Sequence, residues 1–490
     1  MVEGNITIDH RVTVNGDVHL ILADGCKLIA GGGIEVAQAN GQLNSLTIYG
    51  QTEGSGELEA RVDGSTMAAG IGGHYESTPV HAGAITINGG KVTAVGGDAS
   101  AGIGGGMQCV GANITINGGT VEATGGAQAA GIGSGTGPTY GNAVVTINGG
   151  DVTAIGGYQG AGIGDGMGNG QSTDKAATIT ISGGTVIANG GAAGTDTDGA
   201  AGIGGGAKMP AGKITISGGD VTATGANGAS GIGHGGLGAT GGEITISGGI
   251  VTATGGSENP GIGCADAPTS QPIGQDGWIV ISGGTVYASP KAGENGPAIR
   301  GSFSTGDTGH AVIVASGEGI VDKTNEASWS GVIFEGANDG KVYGSPTLQM
   351  NVTLPQGKRL TIPNGSALTI GEGVTLTLSG TTVTVEQGAT FTNNGTIGGS
   401  GTLTVNGTIG GNGVTEGTVT APTPQKAAVT LTATEATYGG DVTFTAKVAP
   451  AANALTRAAA RGEVAFYLQS VHRRRTNRRL GSGSPQLGEC

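Results

Sequence analysis

The residues best suited to chemistry are acidic side chains in the segments between short apolar runs. Aspartates occur in pairs there, notably Asp165 with Asp174 and Asp196 with Asp198. Loop carboxylates and peptide carbonyls are the oxygen ligands that calcium prefers, so these four aspartates are candidate calcium ligands. Solvation at the surface is the simpler interpretation of the same acids. Calcium is the only cofactor that the sequence suggests.

The chain is poor in aromatic residues, with 5 Phe, 2 Trp and 8 Tyr in 490 residues. Tyr75, Tyr140 and Trp278 lie in variable segments, and Tyr287 occupies an outward position of a predicted strand. Aromatic rings offer large contact areas and can stack on flat ligands such as sugar rings. These four residues are therefore predicted to contact carbohydrate, and covering loops or sheet edges is the alternative role.

Cleavage of a polysaccharide would need two or three carboxylates, with a lysine or arginine, on adjacent strands. The predicted strands present threonine at these positions, and we assign no catalytic residue. A lyase or hydrolase remains the enzymatic alternative, for which Asp165, Asp174 and Lys175 are the residues that could meet.

The four cysteines show no spacing that is typical of a zinc site. They are Cys26, Cys109, Cys264 and Cys490. Cys109 and Cys264 belong to repeats that are too distant for a disulfide, whose Cα atoms lie within about 7 Å of each other. Free thiols are therefore predicted.

Composition excludes several classes of protein. Glycine provides 107 of 490 residues without the three-residue period of collagen, and a hydrophobic content of 36% with only 12% charged residues argues against disorder. The net charge of −14 argues against nucleic acid as a main partner. No apolar run is long enough for a membrane span, and no signal-peptide pattern is present. This predicts either a cytosolic protein or a piece of a longer one.

Internal repetition is the dominant pattern. The sequence Ile-Thr-Ile-Asn-Gly-Gly at residues 85–90 recurs with small changes in seven copies, with a period of 29 to 40 residues. Each copy is followed by a run like Val-Thr-Ala, and an Ala-Gly-Ile-Gly segment precedes it. The Ile-Thr-Ile and Val-Thr-Ala runs both alternate between aliphatic residues and threonine, which places the aliphatic side chains on one face of a strand and threonine on the other.

Three short strands per repeat, separated by glycine-rich corners, predict an all-β fold, a parallel β-helix with one coil per repeat. Stacking of the coils predicts a ladder of amides and hydroxyls at one corner, formed by Asn88, Asn117, Asn148, Ser182, Ser217, Ser247 and Ser282. The Thr-x-Thr pattern of the Val-Thr-Ala runs could suit ice binding. However, Glu122, Ile187 and Tyr287 interrupt that array.

The same patterns divide the chain. We predict N-terminal β-helix coils at 1–66, glycine-rich repeats at 67–315, an irregular segment with a second solenoid-like region at 316–420, a linker at 421–425, a partial Ig-like β-sandwich at 426–468 and a basic tail at 469–490. The tail contains much of the arginine of the chain and no strand pattern. We interpret it as a truncated or altered end.

The segments Leu-Ile-Leu-Ala-Asp-Gly-Cys at 20–26 and Leu-Thr-Ile-Tyr-Gly-Gln at 46–51, with the repeat series, resemble the glycine-rich β-helix region of large surface proteins of anaerobic Gram-positive bacteria. The segment from about 425 resembles a bacterial Ig-like stalk module. The resemblance implies export, a longer parent protein and an extracellular or cell-surface location. Similar β-helices include calcium-dependent carbohydrate-binding modules and, more distantly, pectate lyase-like enzymes.

These observations favour a non-enzymatic surface or secreted protein that binds a polysaccharide or a host or cell-surface glycan, or acts as an adhesin. A polysaccharide lyase or hydrolase is the enzymatic alternative. A purely structural cell-surface spacer, which would bind no ligand, is the third.

Overall fold

The computed structural model describes residues 1–39, 42–75, 81–109, 112–137, 142–168, 176–192, 194, 198–236, 241–257, 259–263, 277–306, 309–420, 428–433 and 444–449. The chain forms two compact units, Met1–Pro422 and Thr423–Cys490. Strands dominate the described residues, which include one short 3-10 helix, Glu326–Ser328. None of the helices in these ranges has the length and hydropathy needed to cross a membrane.

The first sheet is built from the Ile-Thr-Ile runs. In the strands that contain such a run, the two aliphatic side chains are buried and the threonine between them points outward, as at Ile85, Thr86 and Ile87. Its strands are Asp17–Leu22, Ser45–Gly50, Ala84–Ile87, Asn113–Ile116, Val144–Ile147, Thr178–Ile181, Lys213–Ile216, the first parts of Glu243–Thr254 and Trp278–Ser289, and Ser302–Ser304.

The second sheet is built from the Val-Thr-Ala runs, whose Val and Ala side chains face the same core. Its strands are Asn5–Ile8, Lys27–Ala30, Glu57–Arg61, Lys91–Val95, Thr120–Thr124, Asp151–Ile155, Thr185–Asn189, Asp220–Thr224, the last parts of Glu243–Thr254 and Trp278–Ser289, Val312–Ala315 and Gly331–Glu335.

The third sheet consists of ten two-residue strands, mostly Ile-Gly. They are Val12–Thr13, Ile34–Glu35, Ile71–Gly72, Ile103–Gly104, Ile132–Gly133, Ile163–Gly164, Ile203–Gly204, Ile232–Gly233, Ile262–Gly263 and Ile299–Arg300. The column therefore begins two coils before the first Ala-Gly-Ile-Gly copy of the sequence. A small antiparallel pair, Gln38–Ala39 with Gln42–Leu43, branches from the second of these coils.

Equivalent strand residues of successive repeats pair in parallel, with a register irregularity between Ile246 and Ile250, where Glu243–Thr254 pairs with Trp278–Ser289. Ile85 pairs with Ile114, Val92 with Val121, and Ile71 with Ile103. The aliphatic side chains of all three sheets form one continuous core. The predicted parallel β-helix with one coil per repeat is confirmed for this region.

The Ile-Gly strands explain part of the glycine content. Gly133 has a φ of 139°, and a Cβ atom built on it would lie 1.9 Å from the carbonyl oxygen of Gly164 in the next coil. An L-side chain would therefore be strained by its backbone angle and would collide with the neighbouring chain. Stacking of the coil at Gly133 therefore requires glycine, whereas Thr13, Glu35 and Arg300 occupy the position in the end coils of the column.

The predicted amide ladder is confirmed for its first four members. Asn117 donates from Nδ2 to Oδ1 of Asn88 at 2.8 Å, and Asn148 donates to Asn117 at the same distance. Ser182 continues the ladder by donating to Oδ1 of Asn148 at 2.9 Å. The ladder joins four successive coils along the corner after the first sheet.

Arg11 closes the N-terminal end of the third sheet. Its guanidinium donates to the carbonyl oxygens of Gly32 and Ala69, at 3.1 and 2.9 Å, and to those of Gly72 and Gly73, at 3.1 and 3.3 Å. Buried carbonyl groups need such partners, because water cannot reach them. This cationic side chain is therefore engaged in holding turns together.

A second, tighter solenoid follows, as the repeated Leu-Thr-Ile runs predict. Its strands are Gly340–Tyr343, Thr347–Leu348, Val352–Thr353, Arg359–Ile362, Ala367–Ile370, Thr375–Val385, Thr390–Asn393, Thr396–Val405, Thr408–Gly410, Val414–Thr415 and Thr418–Thr420. They form three parallel columns around a core of their own.

The two solenoids share the strands at their junction. Ile313 and Ile333 face the first core, whereas Val332 and Phe334 face the second core. The next strand, Gly340–Tyr343, pairs antiparallel to Gly331–Glu335. From the first solenoid to the second, the strands reverse their direction and the core moves to the opposite face of the shared sheet. Because these two reversals compensate each other, the chain winds with the same handedness in both solenoids.

Aromatic side chains close the C-terminal end of the first core. The ring of Trp329 packs edge-on against Phe303 at 5.0 Å and against Tyr343 at 5.4 Å between centroids. The Tyr343 hydroxyl donates to Glu326 at 2.8 Å, and burial together with this carboxylate raises the pKa of Tyr343. The cluster covers apolar side chains that the last coil would otherwise expose.

The unit Thr423–Cys490 is described only for an antiparallel pair, Ala428–Ala433 with Phe444–Ala449. Both strands lie within the predicted Ig-like segment at 426–468. The linker at 421–425, residues 450–468 of the Ig-like segment and the tail at 469–490 lie outside the described residues. The Ig-like assignment stays a prediction.

Candidate functional site

The predicted carbohydrate-contacting aromatics lie at separate places. Trp278 begins a strand of the first sheet and is 70% exposed, whereas Tyr287 projects from the second sheet and is half-buried. Tyr75 is exposed beyond the Ile71–Gly72 strand, and Tyr140 lies outside the described residues. The three described residues do not form one platform.

The candidate calcium ligands are not assembled among the described residues, where no group of three acids, histidines or cysteines could hold a metal ion. Asp174, Asp196 and Lys175 lie outside the described ranges, and Asp198 is half-buried. The expectation that these acids are solvated is wrong for Asp165, which is 1% exposed. Calcium binding stays a prediction.

Asp165 immediately follows an Ile-Gly strand and is held by two donors. Ser134 of the preceding coil donates from its hydroxyl at 3.1 Å, and the backbone N–H of Ala177 donates at 2.8 Å. Burial raises the pKa of Asp165 to about 7, against the lowering effect of these hydrogen bonds. Both oxygens are occupied, so this carboxylate is a poor calcium ligand; it closes the loop that ends at Ala177.

His234 occupies the same position two coils further on. Its ring lies 3.2 Å from the carbonyl oxygen of Gly263 and also hydrogen-bonds with the backbone of Gly241. Burial lowers the pKa of His234 to about 4, so the ring is neutral at physiological pH. Like Asp165, it connects the end of an Ile-Gly strand to the end of the following loop.

A groove of about 500 Å³ runs along the edge of the first sheet. It crosses four successive coils, whose strands begin at Val144, Thr178, Lys213 and Glu243. At about 4.8 Å per coil, this edge is roughly 14 Å long and parallel to the solenoid axis. Lys213 and Glu243 form an ion pair at 3.0 Å, so their charges compensate each other.

Trp278 lies one coil beyond Glu243, the last strand-initial residue of this groove. It pairs with Glu243 and is therefore the next residue in the column of strand-initial positions. Its indole ring is the most exposed large hydrophobic side chain of the described residues. A groove that ends at an exposed indole ring is a suitable arrangement for a chain of sugar rings.

An unbroken ladder of seven threonines runs beside the groove on the first sheet. Its members are paired coil by coil and are all half-buried: Thr47, Thr86, Thr115, Thr146, Thr180, Thr215 and Thr245. The amide and hydroxyl column that begins at Asn88 lies parallel to it. This threonine ladder is regular, unlike the interrupted array of the second sheet.

The outward positions of the two sheets differ in charge. From Ser45 to Trp278, the first sheet carries only the compensated pair Lys213 and Glu243. The second sheet carries charged side chains in several coils, namely Glu57, Glu59, Arg61, Lys91, Glu122, Asp151 and Asp220. An uncharged ligand is therefore better matched by the first sheet.

A larger hollow of about 670 Å³ lies on the second solenoid. Its side chains include Gln356, Thr377, Ser379 and Ser400, and its lining contains neither an aromatic nor a charged residue. The groove near Trp278 is smaller, but its lining contains charged and hydroxyl groups, and an exposed indole ring lies one coil beyond it. We therefore favour the groove as the site.

Sequence reasoning identified Trp278 but missed the groove residues Thr178, Lys213 and Glu243. The available signal was their position, because each is the first residue of a strand in the same column. The free thiols predicted at Cys26 and Cys109 are confirmed, and both are buried. Cys264 and Cys490 lie outside the described residues.

A comparison with family models gives one match, described as a beta helix repeat, at residues 85–107, 114–136, 145–167, 179–207, 214–233 and 244–266. No curated protein matches the chain. No solved structure matches it either. The repeat match and the parallel pairing of the strands together define a β-helix repeat protein.

Proposed function

We propose that this protein is a non-enzymatic, surface or secreted carbohydrate-binding β-helix of the adhesin type. The observation that carries the proposal is the axial groove of about 500 Å³ that leads to Trp278, which is 70% exposed. Covering an exposed indole ring with a flat apolar ligand face lowers the free energy, because apolar surface is removed from water. The hydroxyl, amide and ionic groups beside it supply hydrogen bonds to sugar hydroxyls.

Binding is favoured over cleavage by the chemistry of the groove. Glu243 is the single carboxylate in its lining, and it is paired with Lys213. Hydrolysis of a glycosidic bond ordinarily uses two carboxylates at defined separation. A lyase or hydrolase centred on Asp165, Asp174 and Lys175 remains the alternative. The buried position of Asp165 does not favour it.

A location outside the cell, as part of a longer surface protein with an Ig-like stalk, completes the proposal. It is supported by the resemblance of the repeats to bacterial surface proteins. The net charge of −14 suits a soluble, non-nucleic-acid-binding surface. A purely structural spacer would have no need of an exposed indole beside a groove.

Co-sedimentation of the full chain with insoluble plant and host polysaccharides tests the proposal. We expect retention on at least one polysaccharide, and a reduction of about tenfold or more in affinity for Trp278→Ala, because a buried aromatic contact is lost. Tyr158→Ala is the matched control, since Tyr158 is also exposed and lies outside the groove. Equal retention of wild type and Trp278→Ala would contradict the site.

Two further arms separate the alternatives. Repeating the assay with EDTA tests calcium, and loss of retention would make Asp174 and Asp196 the next residues to mutate. Release of soluble sugars or unsaturated products from the pellet would support the enzymatic alternative. If no polysaccharide retained the protein, a purely structural cell-surface spacer would be the remaining function.

A further inference from the structure

We propose that the ligand is an uncharged polysaccharide in an extended conformation, which lies parallel to the solenoid axis along the threonine ladder and occupies far more than the groove. This inference rests on the proposed function and names the class of ligand and its path. It follows from the charge, regularity and length of the outward face of the first sheet.

The first argument is charge. The ladder threonines and the Asn88 column carry hydroxyl and amide groups. On the described strands of the first sheet from Ser45 to Trp278, the only charges are those of Lys213 and Glu243, 3.0 Å apart. An anionic polysaccharide would find no excess of positive charge there. It would also approach a chain whose net charge is −14. Hydroxyl groups can both donate and accept hydrogen bonds, as the hydroxyls of a neutral sugar do.

The second argument is regularity. Thr86 pairs with Thr115, and Thr115 pairs with Thr146, so the face offers an equivalent hydroxyl every 4.8 Å or so along the axis. A polymer of one repeating unit can use such an array at many places. A compact oligosaccharide could use only two or three of its members.

The third argument is that aromatic groups stand at both ends of the face. Trp278 lies at one end, and at the other His19 heads the threonine column and stacks on Tyr49, with ring centroids 5.8 Å apart and an interplanar angle of 14°. Seven coil steps separate the strand of Tyr49 from that of Trp278, about 34 Å at 4.8 Å per coil. The groove covers only about 14 Å of this length.

The test measures the affinity of the full chain for size-fractionated fragments of soluble mixed-linkage β-glucan. Galactomannan and arabinoxylan are the other neutral polymers, and polygalacturonate and chondroitin sulfate are the anionic ones. We expect a neutral polymer to bind more tightly than either anion. We expect affinity for its fragments to rise until their length reaches about 34 Å.

Variants outside the groove separate this inference from the proposed function. Thr86→Lys and Thr115→Lys place a bulky charge on the ladder, and we expect each to weaken polymer binding at least about fivefold. Thr86→Val and Thr115→Val remove the hydroxyls while keeping the side-chain shape. Thr93→Lys is the control, because Thr93 is an outward threonine of the second sheet in the same coil as Thr86.

Three results would overturn the inference. In the first, affinity stops rising at fragments of about 14 Å, and Thr86→Lys and Thr115→Lys bind the polymer as wild type does. If Trp278→Ala still weakened binding, the ligand would then be confined to the groove, and the proposed function would stand without this inference. Tighter binding of an anionic polymer would contradict the ligand class. Absence of binding to any polymer would overturn the proposed function, and this inference with it.

Discussion

The residue that follows each Ile-Gly strand determines how the next loop is closed. This residue is glycine after three of the seven Ile-Gly strands, whereas it is Asp165 in one coil and His234 in another, and both of these side chains are buried. Each hydrogen-bonds with the backbone at the end of its loop. Burial favours the neutral form of both groups, which raises the pKa of the acid and lowers that of the base.

Asp165→Asn is predicted to change the pH dependence of stability. The pKa of Asp165 is raised from 3.8 to about 7, so its contribution to stability is complete below pH 3.8 and is lost as the pH rises to about 7. Asparagine cannot ionise. The stability of the variant relative to wild type should therefore rise by several kcal/mol between pH 4 and 7, since each pKa unit corresponds to about 1.4 kcal/mol.

Urea unfolding followed by circular dichroism at pH 4, 5.5, 7 and 8.5 measures this difference. Asp220→Asn is the control, because Asp220 is an exposed aspartate at the start of a strand of the second sheet. A difference between Asp165→Asn and wild type that stays constant over this pH range would contradict the raised pKa of Asp165, because a raised pKa makes the stability of wild type fall as the pH rises.

The burial of Asp165 was not visible in the sequence. The same position is Ser134 in the preceding repeat and Gly205 in the following one, and a lone aspartate in a glycine-rich segment resembles a solvated loop acid. Its hydrogen bonds come from Ser134 in the preceding coil and from Ala177, which lies 12 positions further along the chain. Both partners depend on the stacking of coils and the closing of a loop, which local patterns do not reveal.

At the scale of the element, the corner glycines decide whether coils can stack. We predict that Gly133→Ala lowers the free energy of unfolding by about 3 kcal/mol or more, because it combines a strained φ of 139° with a collision against Gly164. Gly64→Ala is the control, since a Cβ atom there would meet nothing within 4 Å. Thermal unfolding of the two variants measures the difference, and equal stability would contradict the packing described here.

The strands themselves were largely predictable. Alternation in Ile-Thr-Ile and Val-Thr-Ala assigns one face to the core, and a one-residue slip would expose every aliphatic side chain, so the register follows as well. The shared strand Gly331–Glu335 was not predictable in this way. Val332, Ile333 and Phe334 are all buried because the strand has a core on each face, which removes the alternation that identifies a one-sided strand.

At the scale of the molecule, repetition turns single exposed side chains into long surfaces. One outward threonine per repeat becomes the threonine ladder, and one strand-initial position per repeat becomes the edge of the groove. The sequence predicted the stacking and hence such columns. It did not predict which column would be continuous, because threonine in a strand is common and its neighbours are known only after the coils are paired.

The fluorescence of the two tryptophans tests the central claim most directly. Trp278 is 70% exposed, whereas Trp329 is 3% exposed in the aromatic cluster. In the full chain, acrylamide should quench mainly Trp278, and the neutral polymer that binds in the affinity assay should reduce that quenching. In Trp278→Phe, the fluorescence that the bound polymer shields from acrylamide should be absent. Protection of Trp278 on binding is the result that we predict, and binding of the polymer that leaves the quenching of Trp278 unchanged would contradict the account.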